Sequence, residues 1–185
     1  QGIGGGNSSG TLLAVKRHLD TFGFREIVPG RLSRLYFRTQ CLGTIALYCI
    51  YLVPCIGLKP PNQSIIREMG KDIFSHRLPF LTGGDWNMSP EGLGTVPWAS
   101  IKAQIISSGS FTYQQGEKCS ELHYFVASDP IAVALKKIQK DGSFPAKGHY
   151  PVWLQLNKVI KDKGIVVPET YQTIPIRRPI GPALM

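Results

Sequence analysis

Hydrophobic residues in this chain fall mainly into short runs, and only two stretches repeat at helical spacing. Residues 11–15 read as a short strand. Residues 25–28 and 33–38 read as two more, separated by Pro29-Gly30, a turn pair. From Thr39 to Leu58 there is no charge, long enough to consider a membrane-spanning helix. Within it, residues 43–53 are rich in β-branched and aromatic side chains, and Pro54 stops the run. That composition predicts a strand covered on both faces and no membrane span. After Pro60-Pro61, Asn62 is placed to cap a helix whose apolar face is Ile65, Ile66, Met69 and Ile73. Residues 80–83 form a short strand, 88–95 a loop, and Pro97 opens a helix reaching about Ile106. Residues 122–127 are a strand. Asp129-Pro130 starts a helix with Ile131, Ala134, Leu135 and Ile138 on one face, and 152–156 is the last strand.

This order, mostly strands with helices inserted after strand pairs, predicts layered α/β with two packed β-sheets flanked by helices. It lacks the strict alternation of a doubly wound nucleotide fold, and no GxGxxG or P-loop follows a strand. Residues 1–10 are Gly- and Ser-rich and read as a flexible lead-in, 11–157 as the domain, and 158–185 as a basic, Pro-rich tail or linker. A chain of 185 residues with 43% hydrophobic content suits one domain with a sizeable core.

Charge and cysteines then narrow the chemistry. The net charge of +9, from 21 Lys+Arg against 12 Asp+Glu, points to polyanionic partners such as nucleic acid. The charges are scattered, so a generic basic surface remains open. Cys41, Cys49, Cys55 and Cys119 show no CxxC spacing and read as buried, reduced thiols. No charged-then-apolar leader is visible at the start, so an intracellular protein, nuclear or cytoplasmic, is expected.

The most chemically specific segment is Gly83-Gly84-Asp85-Trp86-Asn87 at the end of an apolar approach. In extended backbone, positions two apart share a face, so Asp85 and Asn87 can converge while Trp86 packs behind them. A carboxylate beside an amide suits phosphate chemistry: one orients a water, the other donates to a phosphoryl oxygen. Asp and Asn after glycine are also ordinary turn residues, and that reading stays open for the segment alone.

Four segments together resemble the endonuclease/exonuclease/phosphatase superfamily, DNase-like metal-dependent phosphodiesterases. Tyr51-Leu52-Val53-Pro54 resembles its Tyr-x-x-Pro strand end, and Gly84-Asp85-Trp86-Asn87 its Gly-Asp-aromatic-Asn motif. Ser120 to Ser128 resembles its Ser-x-Ile-Asp-Tyr-x-x-x-Ser strand, and Gly148-His149-Tyr150-Pro151-Val152 its terminal Ser-Asp-His-x-Pro-Val. The resemblance implies a four-layer sandwich and Mg²⁺-assisted hydrolysis of phosphodiesters in nucleic acid. It casts Asp85, Asn87 and His149 as catalytic residues and Tyr51, with Asn87, as the phosphate contact. It also exposes departures. The strand's aspartate is His123 here, and the Ser-Asp before the histidine is Lys147-Gly148. The family's early asparagine and metal-binding glutamate belong upstream of the segment that residues 10–15 resemble, so the amino-terminal part of the fold is expected to be missing. With Asp85 the one motif carboxylate left, weak Mg²⁺ binding and impaired catalysis are expected. Two alternatives follow: a catalytically dead nucleic-acid- or partner-binding module of a larger, retroelement-type polypeptide, and a phosphatase-type relative acting on phosphoinositides or phospholipids.

Overall fold

The architecture is that of a computed structural model describing residues 10–143 and 148–157. Strands β1 (Thr21–Val28), β2 (Leu32–Thr39) and β3 (Gly43–Tyr51) form an antiparallel meander. Helix α1 (Asn62–His76) then returns the chain to β4 (Phe80–Asp85), which pairs parallel to β3. A short helix α2 (Pro90–Leu93) and a 3₁₀ turn (Trp98–Ile101) lead to β5 (Ala103–Ile106). The hairpin β6–β7 (Tyr113–Gln115, Lys118–Ser120) follows, then β8 (His123–Ser128), which lies between β4 and β5. The six-stranded sheet runs β1-β2-β3-β4-β8-β5. Helix α3 (Asp129–Val133) leads into a second, two-stranded sheet, β9 (Leu135–Lys140) with β10 (Val152–Leu156).

β3 has no polar face because both faces are covered, as its composition requires. Ala46, Tyr48 and Ile50 pack with Ile65, Ile66, Met69 and Ile73 of α1 in the main core. Ile45, with Leu47 and Leu81, meets Leu135, Ile138, Leu154 and Leu156, so the second sheet packs on the opposite face. Inside the main core a charge is enclosed. Arg34 Nη1 donates to both Asp72 oxygens at 2.9 Å, and the Tyr48 hydroxyl donates to Asp72 Oδ2 at 2.8 Å. This cluster fastens β2 and β3 to α1.

Several elements differ from the sequence-based expectations, each for a local reason. Residues 11–15 are not a strand, although the Thr11 hydroxyl hydrogen-bonds that of Ser33. Asn62 does not cap α1. Pro61 occupies that position, and the Asn62 amide turns inward to hold Val53 N, Val53 O and Gly57 O at 2.8–2.9 Å. The expected loop at 88–95 contains α2, capped by the Ser89 side chain. The expected helix from Pro97 is one 3₁₀ turn, ended at Lys102 in left-handed backbone, and then β5. The helix through Ile138 stops at Val133. Leu135 and Ile138 share a face three residues apart because the β9–β10 register slips between Gln155 and Leu156, a bulge that imitates helical spacing. The cysteines form no disulfide and are not buried: Cys41, Cys55 and Cys119 are exposed in turns or on the β6–β7 hairpin, and Cys49 is half-buried. No helix among the described residues is long and apolar enough to cross a membrane. The lead-in at 1–10, except Gly10, and the tail at 158–185 lie outside the described residues.

Candidate functional site

Strand pairing builds the site. Tyr51 on β3 is the parallel register partner of Asp85 on β4, and Asp85 is the antiparallel partner of His123 on β8. Register partners share a face, so three side chains stand in one row at the end of three central strands. Gly84 lets β3 and β4 approach here: its φ is 153°, and a Cβ would overlap the Ile50 carbonyl oxygen. The backbone then leaves the sheet in two clamped steps. Leu52 N donates to Asp85 O at 3.0 Å, and Trp86 N to Leu122 O at 2.9 Å. Trp86 is fully buried, stacked on Tyr124 at 5.5 Å, with its indole N–H donating to Tyr124 O at 2.9 Å.

Asn87 does not continue an extended chain. Its φ is +48°, its backbone N–H donates to Asp85 Oδ1 at 3.0 Å, and its Nδ2 donates to Leu52 O at 2.8 Å. The turn therefore holds the carboxylate by one oxygen and leaves Oδ2 directed at His123, whose Nε2 is 3.9 Å away.

His149 enters from the segment before β10, through a backbone bridge to Tyr113 and a ring contact of 4.7 Å with it. Its Nδ1 lies 3.0 Å from His123 Nε2, and the two rings stack. The other His123 nitrogen, Nδ1, is 3.1 Å from the Tyr150 carbonyl. A carbonyl only accepts, so Nδ1 carries hydrogen and Nε2 faces the site. Asp85, His123 and His149 form a possible three-residue metal site, with one donor atom from each all within 4.8 Å of one another. They stand at one end of a cleft of about 620 Å³ whose floor includes Leu47, Cys49, Leu81, Gly83 and Phe125.

The two imidazoles are electrostatically unlike. Burial works against charge on His123, but the Asp85 carboxylate and the Tyr150 carbonyl outweigh it and raise its pKa above the ordinary value. His149 moves the other way, lowered by burial and by positive charge on His123, with Asp85 only partly offsetting this. The pair thus takes its first proton on His123.

The structure brings together Asp85, His123, His149 and Tyr51, with Asn87 clamping the turn. Gly148 stands beside them in left-handed backbone, φ +77°, where a Cβ would lie 2.9 Å from Gln114 O. Lys147 lies outside the described residues. His123, a departure from the resembled pattern in the sequence, stands in cross-strand register with Asp85 and so beside it. Tyr113 and the Tyr150 carbonyl were missed, because no local pattern marks either.

Neither a family model nor a curated protein matches the sequence. Solved structures do. The endonuclease domain of TRAS1, a telomere-specific non-LTR retrotransposon, superposes with a TM-score of 0.62 at 14% identity, over 76% of this chain and 68% of that one. The mixed α/β architecture matches the DNase-like fold of that structure. The AP endonuclease LMAP from Leishmania major is similar at 0.55 and 13% identity, over 69% of this chain and 55% of that one. The 3′ phosphatase NExo from Neisseria, bound to a product DNA hairpin, is similar at 0.54 and 12% identity, over 78% and 72%. Identities this low carry the fold alone. The metal that the resemblance implies meets a poor donor set here. Mg²⁺ takes oxygen ligands in near-octahedral geometry, whereas two of the three clustered donors are imidazoles. The nearby Glu121 carboxylate is already held by Ser107 and Ser108. The donors clustered among the described residues do not fit a Mg²⁺ cage.

Proposed function

We propose that this domain binds nucleic-acid phosphodiesters at the strand-end cleft and hydrolyses them slowly. The observation that carries the reading is the convergence of Asp85 Oδ2, His123 Nε2 and His149 Nδ1 in this fold. Asp85 keeps one oxygen for the Asn87 N–H, and the other accepts a proton from the attacking water. His123, charged first and anchored by Tyr150 O, offsets the growing charge on a phosphoryl oxygen. The P–O ester bond opposite the attacking water breaks, the departing oxygen takes a proton from solvent water, and Asp85 returns its own proton to solvent. Tyr51 adds a hydroxyl one strand away, its ring 4.7 Å beneath the Arg31 guanidinium. Asn87 gives one amide hydrogen to Leu52 O and offers the second to phosphate. Low turnover follows from His149: its neighbour is an imidazole instead of a carboxylate, so it stays neutral where a cation would serve. The net charge of +9 supports a polyanionic substrate.

The same substitution at His123 favours a second reading, an inert nucleic-acid-binding module. A fluorescent duplex titrated at several salt concentrations, with a plasmid-nicking assay beside it, separates the two. Binding that weakens steeply with salt, together with nicking lost in Asp85→Asn, supports hydrolysis. Binding without nicking establishes the inert module. Absence of binding at low salt, or nicking unchanged in Asp85→Asn, overturns the proposal.

A further inference from the structure

We propose that Asp85, His123 and His149 form a site for a borderline divalent transition-metal ion, Zn²⁺ above all, and that the site discriminates against Mg²⁺. The inference concerns ion binding alone: a bound ion would take the Asp85 Oδ2 and His123 Nε2 atoms that the hydrolysis reading uses in the metal-free protein, so the two are tested separately.

Geometry comes first. Zn²⁺ binds nitrogen and oxygen ligands at about 2.0–2.1 Å, which in a tetrahedron puts ligand atoms about 3.3 Å apart. His123 Nε2 lies 3.0 Å from His149 Nδ1 and 3.9 Å from Asp85 Oδ2, and no pair in the cluster exceeds 4.8 Å. Side-chain rotations close what remains.

The surroundings of His123 and Asp85 are those a bound ion needs. A ligating imidazole generally donates its remote N–H to a carbonyl or carboxylate, which fixes its tautomer and aims its lone pair. His123 does this through Nδ1 and the Tyr150 carbonyl. Asp85 is held by the Asn87 backbone N–H on Oδ1, so Oδ2 is presented as a single donor. The two residues stand on adjacent strands in direct register, which sets their separation by the sheet itself. His149 is steadied by its bridge to Tyr113. Three protein ligands beside an open cleft leave a fourth position for water or a phosphate oxygen, the layout of a reactive site more than of a structural one.

Ligand chemistry then decides the ion. Imidazole suits Zn²⁺ and its transition-metal neighbours, whereas Mg²⁺ parts reluctantly with water and asks for carboxylates. A single carboxylate and two imidazoles reverse the preference expected from the resemblance.

Isothermal titration of the untagged 185-residue chain with Zn²⁺, and separately with Mg²⁺, tests this, with Co²⁺ as a spectroscopic probe. One Zn²⁺ per chain is expected, with binding weakened at least about 100-fold in His149→Ala and in Asp85→Asn, since loss of a ligand should exceed the loss of an outer partner. Co²⁺ should give the d–d bands of a nitrogen- and oxygen-ligated ion, without a thiolate charge-transfer band. His149 is only partly buried and its link to Tyr113 is a backbone bridge, so His149→Ala should keep the wild-type circular dichroism and thermal midpoint. If His123→Ala fails to fold, the other two variants still decide. The proposal is overturned if Mg²⁺ binds as tightly as Zn²⁺, if no Zn²⁺ binds, if both variants retain wild-type affinity, or if Co²⁺ reports cysteine ligation.

Discussion

Replacing Asp72 by Asn removes one negative charge from the interior and leaves the shape nearly unchanged. Asp72 accepts from Arg34 through both oxygens at 2.9 Å and from the Tyr48 hydroxyl at 2.8 Å, and Arg34 and Asp72 are 5% and 7% exposed. Arg25 reaches the same carboxylate at 4.0 Å, but its side chain is 65% exposed, so it adds little. In Asp72→Asn the Arg34 cation stays buried without a counter-charge, which costs about 3–5 kcal/mol. Tyr48→Phe keeps the ion pair and loses one hydrogen bond to a charged group, about 1.5–3 kcal/mol. Against a total stability of about 5–15 kcal/mol, the first loss is severe. With a urea m-value of about 2 kcal/mol per molar, the Asp72→Asn midpoint should fall by about 2 M. The double change Arg34→Met with Asp72→Leu should cost less than Asp72→Asn alone, because no unpaired charge remains. Equilibrium urea unfolding followed by tryptophan fluorescence measures all four proteins. A loss below about 1 kcal/mol in Asp72→Asn, or a double variant worse than the single, would refute the buried-charge argument.

Three further outcomes are expected. Gly84→Ala should destabilise at or beyond the upper end of the about 1–3 kcal/mol typical of overpacking, because its Cβ meets the Ile50 carbonyl; a wild-type thermal midpoint would contradict this. Gly148→Asp, which returns a carboxylate to the place where the family carries one, should strain left-handed backbone by about 1–3 kcal/mol. It should also speed amide exchange at Gln114, whose N–H donates to Gly148 O at 2.8 Å; unchanged exchange there would count against the strain. In metal-free buffer, ring-proton NMR should place the His123 midpoint above about 6.5 and that of His149 below it. By linkage, His123 adds stability below about pH 6.5 that is lost as pH rises through its folded pKa, while His149 costs stability as pH falls through 6.5. Coincident or reversed midpoints would refute the assignment of the first proton.

Much of the fold was legible because its strongest signals are local. The β3 run reads as a doubly covered strand, and Ile65, Ile66, Met69 and Ile73 read as the buried face of α1. The errors have physical causes. A bulge at β9 reproduced helical spacing, and left-handed Lys102 cut a Pro-initiated helix to one turn. The β6–β7 hairpin went unseen because its residues are mostly exposed, with no alternation to read. For the candidate site, Asp85 and His149 stand in motifs of fixed spacing, so the sequence alone singles them out as candidates. The place of His123 beside them could not be read, since it depends on pairing across 38 residues and on a carbonyl 27 residues away. Asn87 was placed on the right turn with the wrong geometry: positive φ replaces the extended pair that alternation assumes.

The most direct test of a phosphodiester site at these strand ends is a ¹⁵N-resolved NMR titration of the whole chain with a short DNA duplex at low salt. The account predicts that the largest shift changes cluster at Tyr51, Asp85, Asn87, His123 and His149, and that they fade together as salt is raised. Changes centred on the edge strand β1 and its neighbour β2, with the strand-end cleft unmoved, would contradict it.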